Sequence, residues 1–223
     1  MNLTKYLTDV APKIKKGPIA AIIVEDEVEV ESTIEHTLQC GFTHVCALGD
    51  VGDVAINDSR FTAIQHDYKT SEEAIDAVNQ IFAEFPNQWC FYCYNAEYLF
   101  FPFSESRTIG ELLTFCTEER RVSVLSFIMD LYAEDLNTSP SAVDIETAHF
   151  DRAGYFASER KNGEGHTLDR QLDFFGGLKS RYEEYVAPSK RRIDRVAIFK
   201  AAKNVKLLPN HTLSVDEYNT YAC

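Results

Sequence analysis

The chain of 223 residues has little glycine, proline or positive charge, and each shortage excludes a class of protein. Its 10 glycines and 7 prolines are too few for a collagen-like or low-complexity sequence. It carries 22 Lys and Arg against 35 Asp and Glu, a net charge of −13, so it lacks the basic surplus that binding to a nucleic-acid duplex requires. The chain contains no run of about 18 apolar residues, so the sequence predicts no membrane span. The first 16 residues lack the apolar core of a secretory signal.

The residues that are present indicate a folded globular protein. Hydrophobic residues make up 45% of the chain and aromatic residues 12%, which excludes intrinsic disorder. No linker divides residues 1–223, so we expect a single domain, and the apolar ending Tyr221-Ala222-Cys223 suggests that the sequence continues further. Five of the six cysteines lie in apolar surroundings typical of buried thiols. With no targeting segment, this cysteine usage predicts a cytoplasmic protein.

The hydrophobic pattern predicts an α/β fold. Short apolar runs predict strands at Ile19–Val24, Thr43–Leu48, Phe61–Gln65, Trp89–Tyr94 and Val122–Leu131, and helical periodicity predicts helices at Met1–Lys16, Glu27–Cys40, Ser71–Phe85 and Thr108–Thr117. Strands that alternate with helices predict a mostly parallel sheet with helices on both faces, a Rossmann-like three-layer arrangement. Residues 133–168 are polar and predicted to be loop-rich, Asp194–Ala201 to be a strand or short helix, and Val205–Leu208 to be a strand.

Acidic and amide side chains follow the predicted strands. Glu25 and Asp26 follow the first, Asp50 the second, Asn95 and Glu97 the strand that begins at Trp89, and Asp130 lies within the end of the Val122 run. Ligands of parallel α/β sheets bind beyond the carboxyl ends of the strands, so these groups are expected to share one crevice. Grouped carboxylates repel one another unless a cation neutralises them, which favours a divalent metal and a phosphate ligand. The alternative is that they are solvated loop residues of an acidic protein.

Several segments, in this order, resemble a known family over about residues 18–215. They are Val24-Glu25-Asp26-Glu27, Glu35-His36, Gly41-Phe42-Thr43-His44-Val45, the stretch from Trp89 through Tyr94-Asn95-Ala96-Glu97 to Pro102, Asp130-Leu131-Tyr132, Gly176-Gly177-Leu178-Lys179-Ser180-Arg181 and Pro209-Asn210-His211. This order resembles the family 2-like glycosyltransferases, which have the GT-A fold and use nucleotide-diphospho-sugars.

The resemblance implies a protein that binds a nucleotide sugar and transfers the sugar to an acceptor hydroxyl. Glu25, Asp26, Asp50 and Asn95 would contact the nucleotide. Glu97 and His211 would lie at the diphosphate and its metal, Mn²⁺ or Mg²⁺. The general base that deprotonates the acceptor would be Asp130 or Asp173.

The sequence departs from the family at the metal-binding motif. Tyr94 and Ala96 stand where the family has its Asp-x-Asp pair, so any Mn²⁺ or Mg²⁺ site is expected to be weak. Basic residues, from Lys190–Arg195 or Arg181, could neutralise the diphosphate instead. Two other functions stay open: a catalytically silent nucleotide-binding or regulatory protein that keeps the fold, and an interaction protein that binds no nucleotide.

Overall fold

The computed structural model describes residues 1–220, and their architecture is α/β. The strands are β1 (Ile19–Val24), β2 (His44–Gly49), β3 (Phe61–Ile64), β4 (Trp89–Tyr94), β5 (Ser123–Phe127), β6 (Leu131–Tyr132), β7 (His149–Phe150), β8 (Phe156–Lys161), β9 (Thr167–Phe175) and β10 (Asp194–Lys200). The α-helices are α1 (Leu3–Lys5), α2 (Val30–Gln39), α3 (Ser71–Ala83), α4 (Ile109–Glu118) and α5 (Gly177–Arg181). Residues 221–223, whose apolar character led to the expectation of a longer sequence, lie outside the described residues.

The main sheet has six strands in the order β3-β2-β1-β4-β10-β5. β1 pairs in parallel with β2 and β4, and β2 pairs in parallel with β3. β10 is antiparallel to both β4 and β5, so the sheet is mixed but mostly parallel, as the strand and helix pattern predicts. All six residues of β1 are buried, which is expected of a central strand covered on both faces.

Helices cover both faces of this sheet. On one face, the Ile109 amide at the start of α4 donates to the Cys40 carbonyl at the end of α2 (2.8 Å), and Phe42 stacks on Phe91 of β4. On the other face, Phe82 of α3 contacts Phe199 of β10 with ring centroids 5.6 Å apart. Phe199 pairs with Cys90, the neighbour of Phe91 in β4. Because successive residues of a strand point to opposite faces, Phe199 and Phe91 lie on opposite faces of the sheet. The two helical layers therefore lie on opposite sides.

Helix boundaries follow local capping signals. α4 begins with a capping box at Thr108, where the Glu111 carboxylate accepts from the Thr108 amide (2.9 Å). α3 is capped by Thr70, whose hydroxyl accepts from the Glu73 amide (3.2 Å). The predicted first helix is divided into α1, a π-helical turn over Tyr6–Val10 and a 3-10 turn over Ala11–Lys13.

The second half of the chain differs most from the sequence prediction. The polar stretch predicted to be loop-rich contains β7, β8 and the start of β9, and β8 pairs antiparallel with β9 as a hairpin. The predicted strand Val205–Leu208 is only an isolated bridge between Leu207 and Leu213. Within residues 1–220, no helix combines the length and apolar character that crossing a membrane requires.

A buried ion-pair network joins the hairpin to the main sheet. The fully buried Asp194 carboxylate at the start of β10 accepts from Arg160 of β8 (2.8 Å) and from Arg192 (2.6 Å). Its other oxygen accepts from the Phe174 amide of β9 (2.7 Å). Asp173 contacts the same two arginines, at 2.7 and 3.0 Å, so two carboxylates neutralise two guanidinium groups. This network fixes the position of β9 and the turn that follows it.

Candidate functional site

One edge of the main sheet collects most of the polar residues predicted for the site. Val24 of β1 pairs with Gly49 of β2, and Ile23 pairs with Tyr94 of β4, so β1, β2 and β4 end at the same edge. β10 runs in the opposite direction, so its first residues lie at this edge too. Its first residue, Asp194, pairs with Phe127, the last residue of β5. We call this edge, with the loops and α5 that border it, the crevice edge.

Asn95 holds together the loops that follow β1 and β4. Its side-chain oxygen accepts from the Glu25 amide (2.8 Å), and its side-chain nitrogen donates to Asp26 Oδ1 (2.6 Å) and to the Val28 carbonyl (2.8 Å). The side chain is therefore engaged on both its oxygen and its nitrogen. Asn95 supports the loop that would meet a nucleotide, which is a different role from the direct contact predicted for it.

The acidic residues predicted to contact the nucleotide remain exposed at the crevice edge. Glu25 and Asp26 follow β1, and Asp50 follows β2 and accepts from the Gly52 amide (3.2 Å) within its own turn. Partial burial raises the pKa of Glu25, and the negative charges of Glu97 and Asp26 raise it further. Glu25 follows β1 and Glu97 follows β4, and the pairing of these two strands places both residues at the same edge of the sheet.

Glu97, the predicted metal ligand, is bound to Arg195 of β10. The guanidinium approaches both carboxylate oxygens, with Nη1 at 3.1 Å from Oε1 and Nη2 in contact with Oε2. The Tyr94 amide also donates to Oε2 (2.7 Å). The guanidinium carbon of Arg195 lies 5.2 Å from the ring centre of Tyr92 and 5.9 Å from that of Tyr94. This arginine is 6% exposed, and its ion pair is held between aromatic rings.

His211, the second predicted metal ligand, is half-buried beside this ion pair. Its Nδ1 lies 3.0 Å from the Tyr92 hydroxyl, and its ring stacks on Tyr92. Burial lowers its pKa to about 4, with the positive charges of Arg195, Lys179 and Arg192 acting in the same direction and Glu97 opposing them. His211 is therefore neutral at physiological pH and lies in a net positive field.

The donor groups at this position do not fit a divalent metal. Glu97 is paired with a guanidinium, and Tyr94 and Ala96 offer no carboxylate. Within the part of the chain that the structure describes, His, Cys, Asp and Glu side chains form no group of three that could hold a metal ion. A Mn²⁺ or Mg²⁺ ion would have to displace the buried Arg195 from Glu97, which is unfavourable because it leaves a guanidinium desolvated and unpaired.

The two predicted general bases lie in different environments. Asp173 is neutralised by Arg160 and Arg192 in the buried network described above. Asp130 has a buried carboxylate oxygen, Oδ2, without a hydrogen-bond partner among the described residues. Burial raises the pKa of Asp130; Lys179 opposes this effect and Glu97 adds to it. A partly desolvated carboxylate with a raised pKa is suited to accept a proton.

A cavity of about 440 Å³ lies at Gly177, the first residue of α5. Asp151, Gly154, Gly177, Ser180 and Arg181 are among the residues that line it. A Cβ on Gly177 would lie 3.9 Å from Asp130 Oδ2, although Asp130 is not itself one of the residues that line the cavity. Arg181 is fixed there by an ion pair with Asp151.

Replacing Gly176 with alanine is expected to destabilise the fold by about 2 kcal/mol through steric overlap and backbone strain. A Cβ there would lie 2.1 Å from Cδ1 of Tyr155, and the residue has φ +155° and ψ −173°, a conformation restricted to glycine. Gly163→Ala is the matched control, since a Cβ at Gly163 meets no described atom within 4 Å. Urea unfolding of both variants measures the difference; equal stability would show that Tyr155 does not pack on this turn.

A second cavity, of about 520 Å³, lies at the opposite edge of the main sheet. Lys13, Lys15, His44 and Arg60 contribute to its lining. His44 is the first residue of β2, so this cavity lies at the amino ends of the parallel strands. None of the predicted site residues lines it.

Comparisons with models of protein families, with curated proteins and with solved structures find no match to this chain. The crevice edge is therefore identified as a candidate site by its own geometry. The sequence predicted Glu25, Asp26, Asp50, Asn95, Glu97 and Asp130 there, but it missed the pairing of Glu97 with Arg195 and the position of Lys179. The short basic run at Lys190–Arg195 was the available signal for Arg195.

Proposed function

We propose that this protein binds a nucleotide sugar at the crevice edge and transfers the sugar to an acceptor hydroxyl. The observation that carries the proposal is the buried, unpartnered Asp130 carboxylate oxygen, which lies close to Gly177, one of the residues that line a cavity. The positive charge of Lys179 also acts on this carboxylate. Acceptor activation requires a carboxylate with a free oxygen, and a diphosphate leaving group requires positive charge nearby. The order of the motifs from Val24 to His211 supports the same function.

In the proposed reaction, Asp130 removes the proton of the acceptor hydroxyl. At the same time, the oxygen of that hydroxyl attacks the anomeric carbon of the sugar. The bond from that carbon to the diphosphate breaks, and its electron pair leaves with the nucleoside diphosphate. The cavity lined by Gly177 is the expected path of the acceptor, because a Cβ on Gly177 would lie 3.9 Å from Asp130 Oδ2. Asp173 is the weaker candidate base, since Arg160 and Arg192 already occupy its carboxylate.

A catalytically silent nucleotide-binding protein is the second candidate. The observation that favours it is the engagement of Glu97 with Arg195 together with the loss of the aspartate pair. Such a protein would bind nucleotides through the same loops but would release no nucleoside diphosphate from a nucleotide sugar.

The thermal stability of the protein is expected to rise with a nucleotide sugar from a panel of uridine, guanosine, adenosine and thymidine diphospho-sugars. A ligand at about 100 times its dissociation constant adds about 2.7 kcal/mol to the free energy of unfolding, an easily measured shift. The corresponding free monosaccharides are the control and should give no shift. If no compound in the panel shifts the transition, the donor site is wrong; a shift without release of nucleoside diphosphate favours the silent binding protein.

A further inference from the structure

The cavity at the amino ends of the parallel strands is lined mostly by hydrogen-bond donors. Its volume, about 520 Å³, lies in the range of small-molecule sites. Two exposed lysines, Lys13 and Lys15, line it, and neither forms an ion pair within 4 Å among residues 1–220. Three hydroxyl groups that no described residue engages in a hydrogen bond also belong to the lining, those of Thr43, Ser59 and Thr62.

His44 gives this cavity a buried polar wall. The residue is only 4% exposed, yet it belongs to the lining, so it lies deeper than the exposed lysines. Its Nε2 atom has no hydrogen-bond partner among the described residues. Burial lowers the pKa of His44 to about 4, so the ring is neutral at physiological pH. A buried polar atom without a partner costs free energy, which a polar ligand in the cavity would offset.

The charged groups around the cavity leave a positive surplus. Both carboxylate oxygens of Asp58 accept from Arg60, and Nη1 of this arginine donates to the Leu38 carbonyl (3.1 Å). Arg60 is therefore committed to partners of its own. Among the described residues of the lining, Asp9 is the one acid, and it accepts from the Thr8 hydroxyl (3.1 Å). The two unpaired lysines outnumber it, although the whole chain has a net charge of −13.

The segment that carries the two lysines is not a regular helix. A π-helical turn ends at Val10 and a 3-10 turn ends at Lys13, and π-helical turns occur frequently at functional sites. The π-helical turn begins at Tyr6, which is fully buried and stacks on His44 with ring centroids 5.9 Å apart. Val10 and Ile14 are half-buried and line the cavity beside the lysines. The cavity therefore combines cationic and hydroxyl donors with an apolar wall.

We propose that this cavity binds a small organic phosphate monoester, with Lys13 and Lys15 as the charged contacts to its terminal phosphate. Such a phosphate carries a charge between about −1.5 and −2 at pH 7, which two unpaired ammonium groups match. Its oxygens accept charge-assisted hydrogen bonds from lysine and further bonds from hydroxyl groups. Val10 and Ile14 contact the organic part of the ligand.

This site is separate from the crevice edge and does not rest on the function proposed there. A nucleotide sugar has no terminal phosphate, because both ends of its diphosphate are esterified. It lacks the concentrated charge that the two lysines match, so we expect no nucleotide sugar to occupy this cavity. The two sites can therefore be tested independently with different ligands.

Titration of the ¹⁵N-labelled full chain with phenyl phosphate, followed by amide NMR, tests the proposal. We expect saturable shifts at residues 13–15, 43–44 and 59–62. Inorganic phosphate should shift the same amides but bind more weakly, since it makes no apolar contacts. Phenol and UDP-glucose should not shift them. Lys13→Gln and Lys15→Gln should each weaken phenyl phosphate binding by about tenfold.

Lys161→Gln is the matched control, because Lys161 is an exposed lysine at the end of β8 that does not line this cavity. Wild-type affinity in both lysine variants would show that the ammonium groups do not contact the phosphate. Shifts that do not saturate, or that lie outside the cavity, would overturn the site. Equal binding of phenol, tighter binding of inorganic phosphate than of phenyl phosphate, or binding of UDP-glucose at these amides would contradict the proposed ligand class.

Discussion

Replacing Asp130 with asparagine is expected to lower the rate of sugar transfer by about 10²- to 10⁴-fold without weakening nucleotide-sugar binding. Asparagine keeps the shape of the side chain but cannot accept the acceptor's proton. The measurement is the release of nucleoside diphosphate from the sugar donor that raises thermal stability most. Asp76→Asn is the matched control, because Asp76 lies on the exposed face of α3 and should leave the rate unchanged.

The same variant is expected to gain thermal stability at neutral pH. Burial raises the pKa of Asp130 above its value of about 3.9 in an unfolded chain. The folded state therefore favours the protonated form of Asp130. The resulting contribution to the free energy of unfolding is complete below about pH 3.9 and is lost as the pH rises through the raised pKa. At pH 7 the folded protein holds an ionised, partly buried carboxylate that asparagine removes.

Unfolding curves of wild type and Asp130→Asn between pH 3.5 and pH 8 measure this effect. The variant should be more stable at pH 7, and its advantage should shrink as the pH falls towards 4. A variant that is less stable than wild type at pH 7 would contradict the absence of a partner for Asp130 Oδ2. Loss of turnover with a gain in stability is typical of a residue retained for function.

Arg195→Met is expected to lower the free energy of unfolding by about 3 kcal/mol. Removing the guanidinium leaves the Glu97 carboxylate without its charged partner in a largely buried position. The value is at the low end for a broken buried ion pair because the Glu97 side chain is 26% exposed. Urea unfolding of purified variants measures it.

A double-mutant cycle with Glu97→Gln separates the ion pair from lost packing. The double variant, Arg195→Met with Glu97→Gln, should recover much of the lost stability because no unpaired charge remains, while the Tyr94 amide still has an acceptor. If the two single losses add without coupling, the contact between Glu97 and Arg195 contributes nothing and Arg195 is held by its aromatic neighbours alone.

The parallel part of the sheet could be predicted from the sequence because its two central strands, β1 and β4, are apolar or aromatic over their whole length. The segments IAAIIV in β1 and WCFYCY in β4 are buried almost throughout and lie between helices with clear periodicity. The hairpin of β8 and β9 gave no such signal. Five of the six residues of β8 are exposed, and the buried one is Arg160, which is held by ion pairs rather than by apolar packing.

The location of the site residues at one edge of the sheet could be predicted from the sequence. The ion pair that Glu97 forms could not. Glu25, Asn95 and Asp130 follow or lie near the ends of strands, so strand order alone brings them to one edge. The partner of Glu97 is 98 residues away on an antiparallel strand, which no local spacing indicates. Whether an Asp130 oxygen lacks a hydrogen-bond partner depends on the packing around it. The sequence therefore could not decide between Asp130 and Asp173 as the general base.

Hydrogen exchange of backbone amides tests the central claim most directly, using the nucleotide sugar that raises thermal stability most. The account predicts slower exchange in the loops after β1 and β4 and at Gly176–Lys179, with no change around Lys13, Lys15 and Arg60 at the opposite edge. Protection at that opposite cavity, or no protection from any nucleotide sugar, would contradict a donor site at the crevice edge.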